Sequence, residues 1–174
     1  GYGAAAYKDK MPSAGEEVYD DMSGEANGIL SMDNTNTLAY KNSVSGVNFS
    51  VDYNPENGSD GSSKSIGLDY SPMDGMMVFV GQSDISAGTN DTDTHTTFGG
   101  TYTTMGATLG VQMTSIDDAT ANADIDRTHI AASFAVNENL SVSYGISTVE
   151  FEGAGNTDQE DSGIGASYTM GSMS

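Results

Sequence analysis

The stretch TLAYKNSVSGVNFSVDYNP, residues 37–55, decides the fold class. Between Val47 and Tyr53 the apolar residues hold the odd positions, and small polar residues hold the even positions. Because successive side chains of an extended strand point to opposite faces, this alternation predicts a strand with one apolar and one polar face. The preceding link, Asn42–Gly46, is rich in turn-forming residues and predicts a tight connection to an earlier strand.

The same alternation recurs along the chain and predicts nine strands. They cover Thr37–Lys41, Val47–Tyr53, Ser65–Tyr70, Met76–Ser83, Thr97–Thr103, Thr108–Met113, His129–Val136, Leu140–Ser147 and Ile164–Tyr168. In the fourth strand a run of five apolar residues, Met76–Val80, hides which face is which. No helical period is evident from Thr37 onward, so the sequence predicts an all-β, antiparallel, up-and-down meander.

Short and long links alternate between these strands. The short links are Asn42–Gly46, Ser71–Gly75, Thr104–Gly106 and Asn137–Asn139. The long links are Asn54–Ser63, Asp84–Thr96, Asp117–Asp126 and Glu152–Asp161. Aromatic residues recur just before the short links, at spacings of 30, 32, 32 and 34 residues: Tyr40, Tyr70, Tyr102, Phe134 and Tyr168.

The two faces of the meander indicate where it resides. The polar face carries mainly Ser, Thr, Gly and Ala, whereas a soluble exterior usually carries Lys, Glu and Arg. Transmembrane β-barrels combine alternating strands, aromatic girdles, short turns at one end and long loops at the other. We therefore predict a membrane barrel with its apolar face toward lipid, its polar face toward a lumen, and the five aromatic residues in a girdle.

Composition excludes several classes of function. The net charge is −20, from 25 acidic and 5 basic residues, which disfavours nucleic acid as a partner. Cysteine is absent, and His95 and His129 have no partner at zinc-ligand spacing. The acidic links, such as Asn90–Asp93, match no dedicated calcium motif, so we predict at most weak Ca²⁺ or Mg²⁺ binding there. No nucleophile elbow or phosphate-binding loop occurs, so the sequence predicts neither an enzyme nor a cofactor.

Two segments resemble the general porins of Gram-negative outer membranes. In residues 37–55 a strand ending in Tyr-x-Asn-Ser turns into Ser-Gly-x-x-Phe-x-x-x-Tyr. KMPSAGEEVYDD, residues 10–21, resembles the porin loop that folds back into the barrel, although Ser13-Ala14 replaces the aromatic often found between Pro and Gly. The resemblance implies a barrel of about 16 to 18 strands. It also implies further strands before Gly1 and after Ser174, a homotrimer, contact with outer-membrane lipid and lipopolysaccharide, and a location in the outer membrane.

The resemblance divides the chain into an infolded constriction (eyelet) loop, residues 1–35, and a wall-forming meander, residues 36–174. It implies that loop acids set a transverse field in a narrow channel, and the candidates are Asp9, Glu16, Glu17, Asp20 and Asp21. The same acids could instead be solvated loop residues. The family's facing Arg cluster would lie in strands before the loop.

Strand parity predicts the residues that line the lumen. They are Lys41, Asn48, Asp52, Asp69, Gln112, Arg127, His129 and Ser143. For Arg127 an alternative is a loop-edge position, paired with Asp124 or Asp126.

The resulting functional hypothesis is a cation-favouring, water-filled channel for passive diffusion of small hydrophilic solutes and ions. Two alternatives remain at this point. One is an acidic secreted or surface-layer β-protein that binds Ca²⁺ or glycans through its loops, and the other is a small closed barrel that acts as an anchor.

Overall fold

In the part of the chain that the structure describes, nine antiparallel strands form one sheet in chain order, each hydrogen-bonded to the next. The strands are β1 (Leu38–Val44), β2 (Val47–Asn54), β3 (Ser63–Tyr70), β4 (Met76–Ser86), β5 (Thr92–Thr104), β6 (Ala107–Asp117), β7 (Ile125–Ala135), β8 (Leu140–Phe151) and β9 (Gln159–Tyr168). This computed structural model describes residues 3–7, 10–14, 36–55, 61–86, 92–120, 123–153, 155 and 157–170. The order confirms the prediction of an all-β, up-and-down antiparallel meander.

Two of the short links are two-residue turns with positive φ at both positions. Ser45 and Gly46 have φ of 52° and 82°, and Met105 and Gly106 have φ of 49° and 80°. This backbone matches the right-handed twist of the flanking strands, which is why hairpins favour it. Before the strands, Gly3–Tyr7 forms a 3₁₀ helix. In the described part of the chain, no helix is both long and apolar enough to cross a membrane.

The strands extend further into the long links than predicted. β4 ends at Ser86 and β5 begins at Thr92, so the predicted link Asp84–Thr96 is largely strand. The other three long links are shorter than predicted for the same reason, since β2, β3, β6, β7 and β9 each include residues assigned to them. Alternation marks only the apolar part of each strand. Beyond that apolar part the backbone pairing continues, and polar residues such as Gln82, Thr96 and Ser115 lie on the face that the apolar residues occupy elsewhere in the strands.

The register divides the side chains between two faces. We call the face that carries Ser50, Asp69, Thr97, Gln112 and Ser143 the polar face, and the opposite one the apolar face. On the apolar face, large side chains such as Leu109 and Ile130 are exposed by 57% and 53%. In β6 exposed and buried residues alternate through most of the strand, as a sheet covered on one face requires.

The register also resolves the ambiguous run in β4. Met76, Val78 and Val80 lie on the apolar face, whereas Met77 and Phe79 lie on the polar face. Phe79 is only 4% exposed because the beginning of the chain packs on it. The apolar run therefore combines the apolar face of β4, where Val80 is 44% exposed, with apolar residues on the polar face that the beginning of the chain covers.

Candidate functional site: the polar face and the anchoring segment

The beginning of the chain lies across the polar face. We call residues 3–7 and 10–14 the anchoring segment. The backbone N–H of Ala4 donates to Ser65 Oγ on β3 at 3.2 Å, and that of Ala14 donates to Ser143 Oγ on β8 at 2.9 Å. The hydrophobic core lies where this segment packs on the sheet. Tyr7 and Met11 of the segment cluster there with Phe79, Ala131 and Val149 of the strands. The segment therefore reaches from β3 to β8.

Tyr7 makes the most specific contact of the anchoring segment. Its ring stacks on Phe79 with a centroid distance of 4.9 Å and an interplanar angle of 8°. Its hydroxyl donates to Asp69 Oδ1 at 3.3 Å, and Asn48 Nδ2 donates to the other carboxylate oxygen at 2.7 Å. Burial, with the Asp69 charge as a second cause, raises the pKa of the Tyr7 phenol above its ordinary value. The hydroxyl therefore remains a donor at neutral pH.

Glycines on the polar face make room for the segment. Gly67 and Gly81 are directly paired on β3 and β4. A Cβ at Gly67 would lie 2.6 Å from the Tyr7 ring, and one at Gly81 would lie 2.8 Å from Ala4 Cα. On β6, a Cβ at Gly110 would lie 2.5 Å from Pro12 Cδ. Close backbone approach is thus the physical reason for glycine at these three positions.

A buried polar cluster occupies the middle strands of the same face. Gln112, Thr114, Arg127 and His129 are each at most 3% exposed, and Gln112 pairs with His129 across β6 and β7. Oxygen Oγ1 of Thr114 lies 3.0 Å from that of Thr97 on β5, and Ser147 Oγ lies 2.7 Å from His129 Nδ1. The His129 tautomer decides which of the latter two atoms donates. Buried polar groups of this kind hold side chains in fixed positions.

All eight residues predicted to line a lumen lie on the polar face. Their exposure differs. Lys41 and Asn48 are exposed, Asp69 is half-buried, and the others are buried. Arg127 is 2% exposed, whereas Asp126 lies on the apolar face, exposed to its surroundings. Asp124 accepts a hydrogen bond from the backbone N–H of Asp118 at 3.0 Å. The predicted constriction acids Asp9, Glu16, Glu17, Asp20 and Asp21 lie outside the described residues.

The five aromatic residues predicted to form a girdle all lie on the apolar face. Each is exposed by 41% to 65%, and the members are Tyr40, Tyr70, Tyr102, Phe134 and Tyr168. Each of the last four lies within the final three residues of its strand. Their exposed positions on the apolar face make their side chains available to a lipid interface.

Sequence reasoning missed the residues that seat the anchoring segment: Tyr7, Gly67, Phe79, Gly81 and Gly110. The sequence around Tyr7 carries no local signal of the partner of its side chain. The glycines become informative only once the register shows that Gly67 faces Gly81. Among the described residues, no group of three or more His, Asp or Glu side chains could hold a metal ion.

An up-and-down sheet with an apolar outer face, and with a polar face onto which the chain folds back, defines the class of β-barrel channel proteins. The comparison with known families makes this specific. The family described as Gram-negative porin matches residues 4–173. The chain therefore belongs to the Gram-negative porin family, which is a family of outer-membrane channels and not of enzymes. No curated protein matches the chain.

Proposed function

We propose that the protein forms a water-filled channel through which small hydrophilic solutes and ions diffuse passively. The observation that carries this proposal is the two-faced sheet with the anchoring segment fixed to its polar face. An apolar outer face is compatible with lipid, and a face of small polar side chains is compatible with water. The segment narrows the space in front of that face, which gives a diffusive pore its size limit.

The channel favours cations. On the polar face, the described strand residues supply four carboxylates, Asp52, Asp69, Asp93 and Asp161, against the two cations Lys41 and Arg127. Over the whole chain the excess is larger, with 25 acids against 5 bases. Acids along a narrow aqueous path raise the local concentration of cations and lower that of anions.

Planar-bilayer recording of the full-length protein tests both statements. We expect ohmic conductance and, under a KCl gradient, a reversal potential of the sign that indicates cation preference. Asp161→Asn removes an exposed charge from the polar face, whereas Asp126→Asn removes an exposed charge from the apolar face. Asp161→Asn should lower the cation preference and Asp126→Asn should leave it unchanged. Absence of conductance contradicts the channel, and an equal effect of the two variants contradicts the assignment of faces.

Residues 1–35 form the constriction in this proposal, and residues 36–174 form part of the wall. The contacts of the anchoring segment support it, since they hold the start of this stretch against the wall. Asp9, Glu16, Glu17, Asp20 and Asp21 supply the negative side of the field. Replacing Glu16 and Glu17 together by Gln should reduce cation preference more than Asp161→Asn does, because a charge at the narrowest point has the largest effect.

The assembly proposed with this function is a homotrimer in the outer membrane, surrounded by lipid and lipopolysaccharide. The exposed apolar face and the family support it. Mass determination of the detergent-solubilised protein by light scattering should give three copies, and fractionation should recover it with the outer membrane. Recovery in the aqueous phase of a detergent partition would instead favour a secreted β-protein.

A further inference from the structure

A notch lies in the apolar face where β4, β5 and β6 run side by side. Gly100 on β5 forms its floor, because it lies on this face between Val78 on β4 and Val111 on β6. The residues paired across the sheet at this level are Tyr70, Val78, Gly100, Val111, Ile130 and Ile146. Gly100 is the one member of this row without a side chain, so the row of large side chains is interrupted there.

The notch has the size and the lining of a site for a hydrocarbon chain. Its volume is about 620 Å³. From the apolar face it is lined by Met76, Val78, Phe98, Tyr102, Leu109 and Val111, none of which is charged. Barrel strands are tilted by about 35–45° in the membrane, so a lipid chain crosses β5 obliquely and can pass over Gly100 between Phe98 and Tyr102. A chain in the notch gains dispersion contacts on its sides as well as on its floor.

Exposed methionines continue this apolar surface into the neighbouring short links. Met73, between β3 and β4, is exposed by 59%, and Met105, between β5 and β6, is exposed by 96%. Met105 has a φ of 49°, a conformation for which two-residue turns normally use Asn, Asp or Gly. The turn geometry therefore does not explain a methionine at this position, whereas contact of a flexible apolar side chain with lipid does.

The charges at the short-link end of the notch indicate which headgroup suits it. Tyr102 is one of the aromatic residues expected at the membrane interface, so this end of the notch lies near the lipid headgroups. Asp74 is exposed and lies two residues before Met76, which lines the notch. Among the described residues, the one base on the apolar face is Lys64, which lies at the opposite end of the strands and pairs with Asp84. A headgroup with a primary ammonium group therefore has a carboxylate partner here, whereas an anionic headgroup is repelled.

We infer that the notch binds one acyl chain of a phospholipid whose headgroup carries a primary ammonium group. The chain lies over Gly100, and the ammonium group donates charge-assisted hydrogen bonds to the Asp74 carboxylate. The inference rests on the proposed placement of the apolar face in lipid. It goes beyond the proposed channel, because it concerns the outer surface and names the lipid class that one site on it retains.

The test measures lipid retention by the full-length, detergent-solubilised protein with native mass spectrometry. The probes are phosphatidylethanolamine, phosphatidylcholine and phosphatidylglycerol with identical acyl chains. Phosphatidylcholine is the closest control, because its quaternary ammonium group keeps the charge but has no N–H to donate. We expect one phosphatidylethanolamine per copy to be retained about threefold more than phosphatidylcholine, in keeping with a charge pair at an exposed position. The anionic phosphatidylglycerol should be retained least.

Two pairs of variants locate the site. Asp74→Asn should reduce the preference for phosphatidylethanolamine over phosphatidylcholine to about one, whereas Glu138→Gln, which removes an exposed acid from another short link, should leave it unchanged. Val111→Phe fills the notch and should reduce retention of the bound phosphatidylethanolamine at least about threefold, because the ring displaces the chain. Ile130→Phe should not, because Ile130 follows Val111 in the same row but does not line the notch. Gly100 is kept in all variants, since a Cβ there would lie 2.8 Å from the Met77 carbonyl oxygen.

Equal retention of phosphatidylethanolamine and phosphatidylcholine by the wild-type protein overturns the inference, and so does an equal effect of Val111→Phe and Ile130→Phe. Light scattering tests the other occupant, a second copy of the chain. Loss of the oligomer in Val111→Phe with unchanged lipid retention would overturn the lipid site and make this face a contact between copies. Retention does not depend on conduction, so lipid bound without headgroup preference refutes the site alone, and headgroup preference without conductance refutes the channel alone.

Discussion

Replacing Tyr7 by alanine should release the anchoring segment from the polar face without unfolding the sheet. Tyr7 is 2% exposed, and Tyr7→Ala removes the stacking on Phe79 and the hydrogen bond to Asp69. A large-to-small change at a buried aromatic residue costs about 3–5 kcal/mol. At about 3 kcal/mol, the fraction of molecules in which the anchoring segment has left the sheet rises by about two orders of magnitude, since 1.4 kcal/mol corresponds to a factor of about ten.

Trypsin cleavage after Lys10 measures this release. Lys10 is exposed, but the next residue, Met11, is 4% exposed, so the bond between them fits a protease only after the segment has left the sheet. When release and return are fast relative to cleavage, the cleavage rate follows the released fraction. We expect cleavage to accelerate about a hundredfold in Tyr7→Ala. In Tyr7→Phe it should accelerate only about fivefold, because a single hydrogen bond contributes about 1 kcal/mol.

The control is Tyr144→Ala, which removes the same side chain from the apolar face, where Tyr144 is 47% exposed. It should leave cleavage after Lys10 unchanged. Hydrogen exchange at the Ala14 amide, which donates to Ser143, gives a second readout of the same release. Cleavage in Tyr7→Ala at the wild-type rate would refute the reasoning, and so would an equal acceleration in Tyr144→Ala.

Three further predictions follow from the two faces and the described acids. Gly67→Ala should accelerate the same cleavage about tenfold while the thermal midpoint of the sheet stays unchanged, because the new Cβ would crowd the Tyr7 ring; a wild-type rate would mean that the close approach is unimportant. Leu109→Arg should destabilise the folded protein in lipid by about 1–3 kcal/mol and Thr108→Arg should cost less, because only Leu109 lies on the apolar face; urea titration in vesicles measures both, and the reverse order would invert the faces. Chelation with EDTA should shift the unfolding midpoint of the detergent-solubilised protein by less than about 2 °C, because weak carboxylate sites contribute little; a large fall would reveal a dedicated divalent site.

Alternation was sufficient to predict the fold where each strand has one covered and one open face. Val47–Tyr53 is such a strand, and its two faces are the ones that parity predicts. The same reasoning was silent for Met76–Val80, because Phe79 is covered by Tyr7, a residue more than 70 positions earlier in the chain. It misplaced the strand ends near the long links, because hydrogen bonding continues there after the apolar side chains stop.

The candidate site was predictable only in part. Parity assigns Lys41 and Asp69 to one face, but it cannot indicate that Asp69 binds Tyr7 or that Lys10 shares a cavity with Lys41. Those contacts depend on where an irregular segment crosses the sheet. The resemblance of residues 10–21 to an infolded porin loop predicts that the chain folds back, but the segment has no repeating period from which its individual contacts could be predicted.

The contacts of the anchoring segment impose an order on folding. Each strand pairs with its sequence neighbour, so the meander can form by successive hairpins with short loops to close. The segment's hydrogen bonds instead join residues separated by 61, 62 and 129 positions. Because the partner of Ala14 is on β8, the segment cannot be fully seated until β8 has joined the sheet. Folding therefore passes through a sheet whose polar face is still uncovered. The docking of the anchoring segment is the step that covers this face.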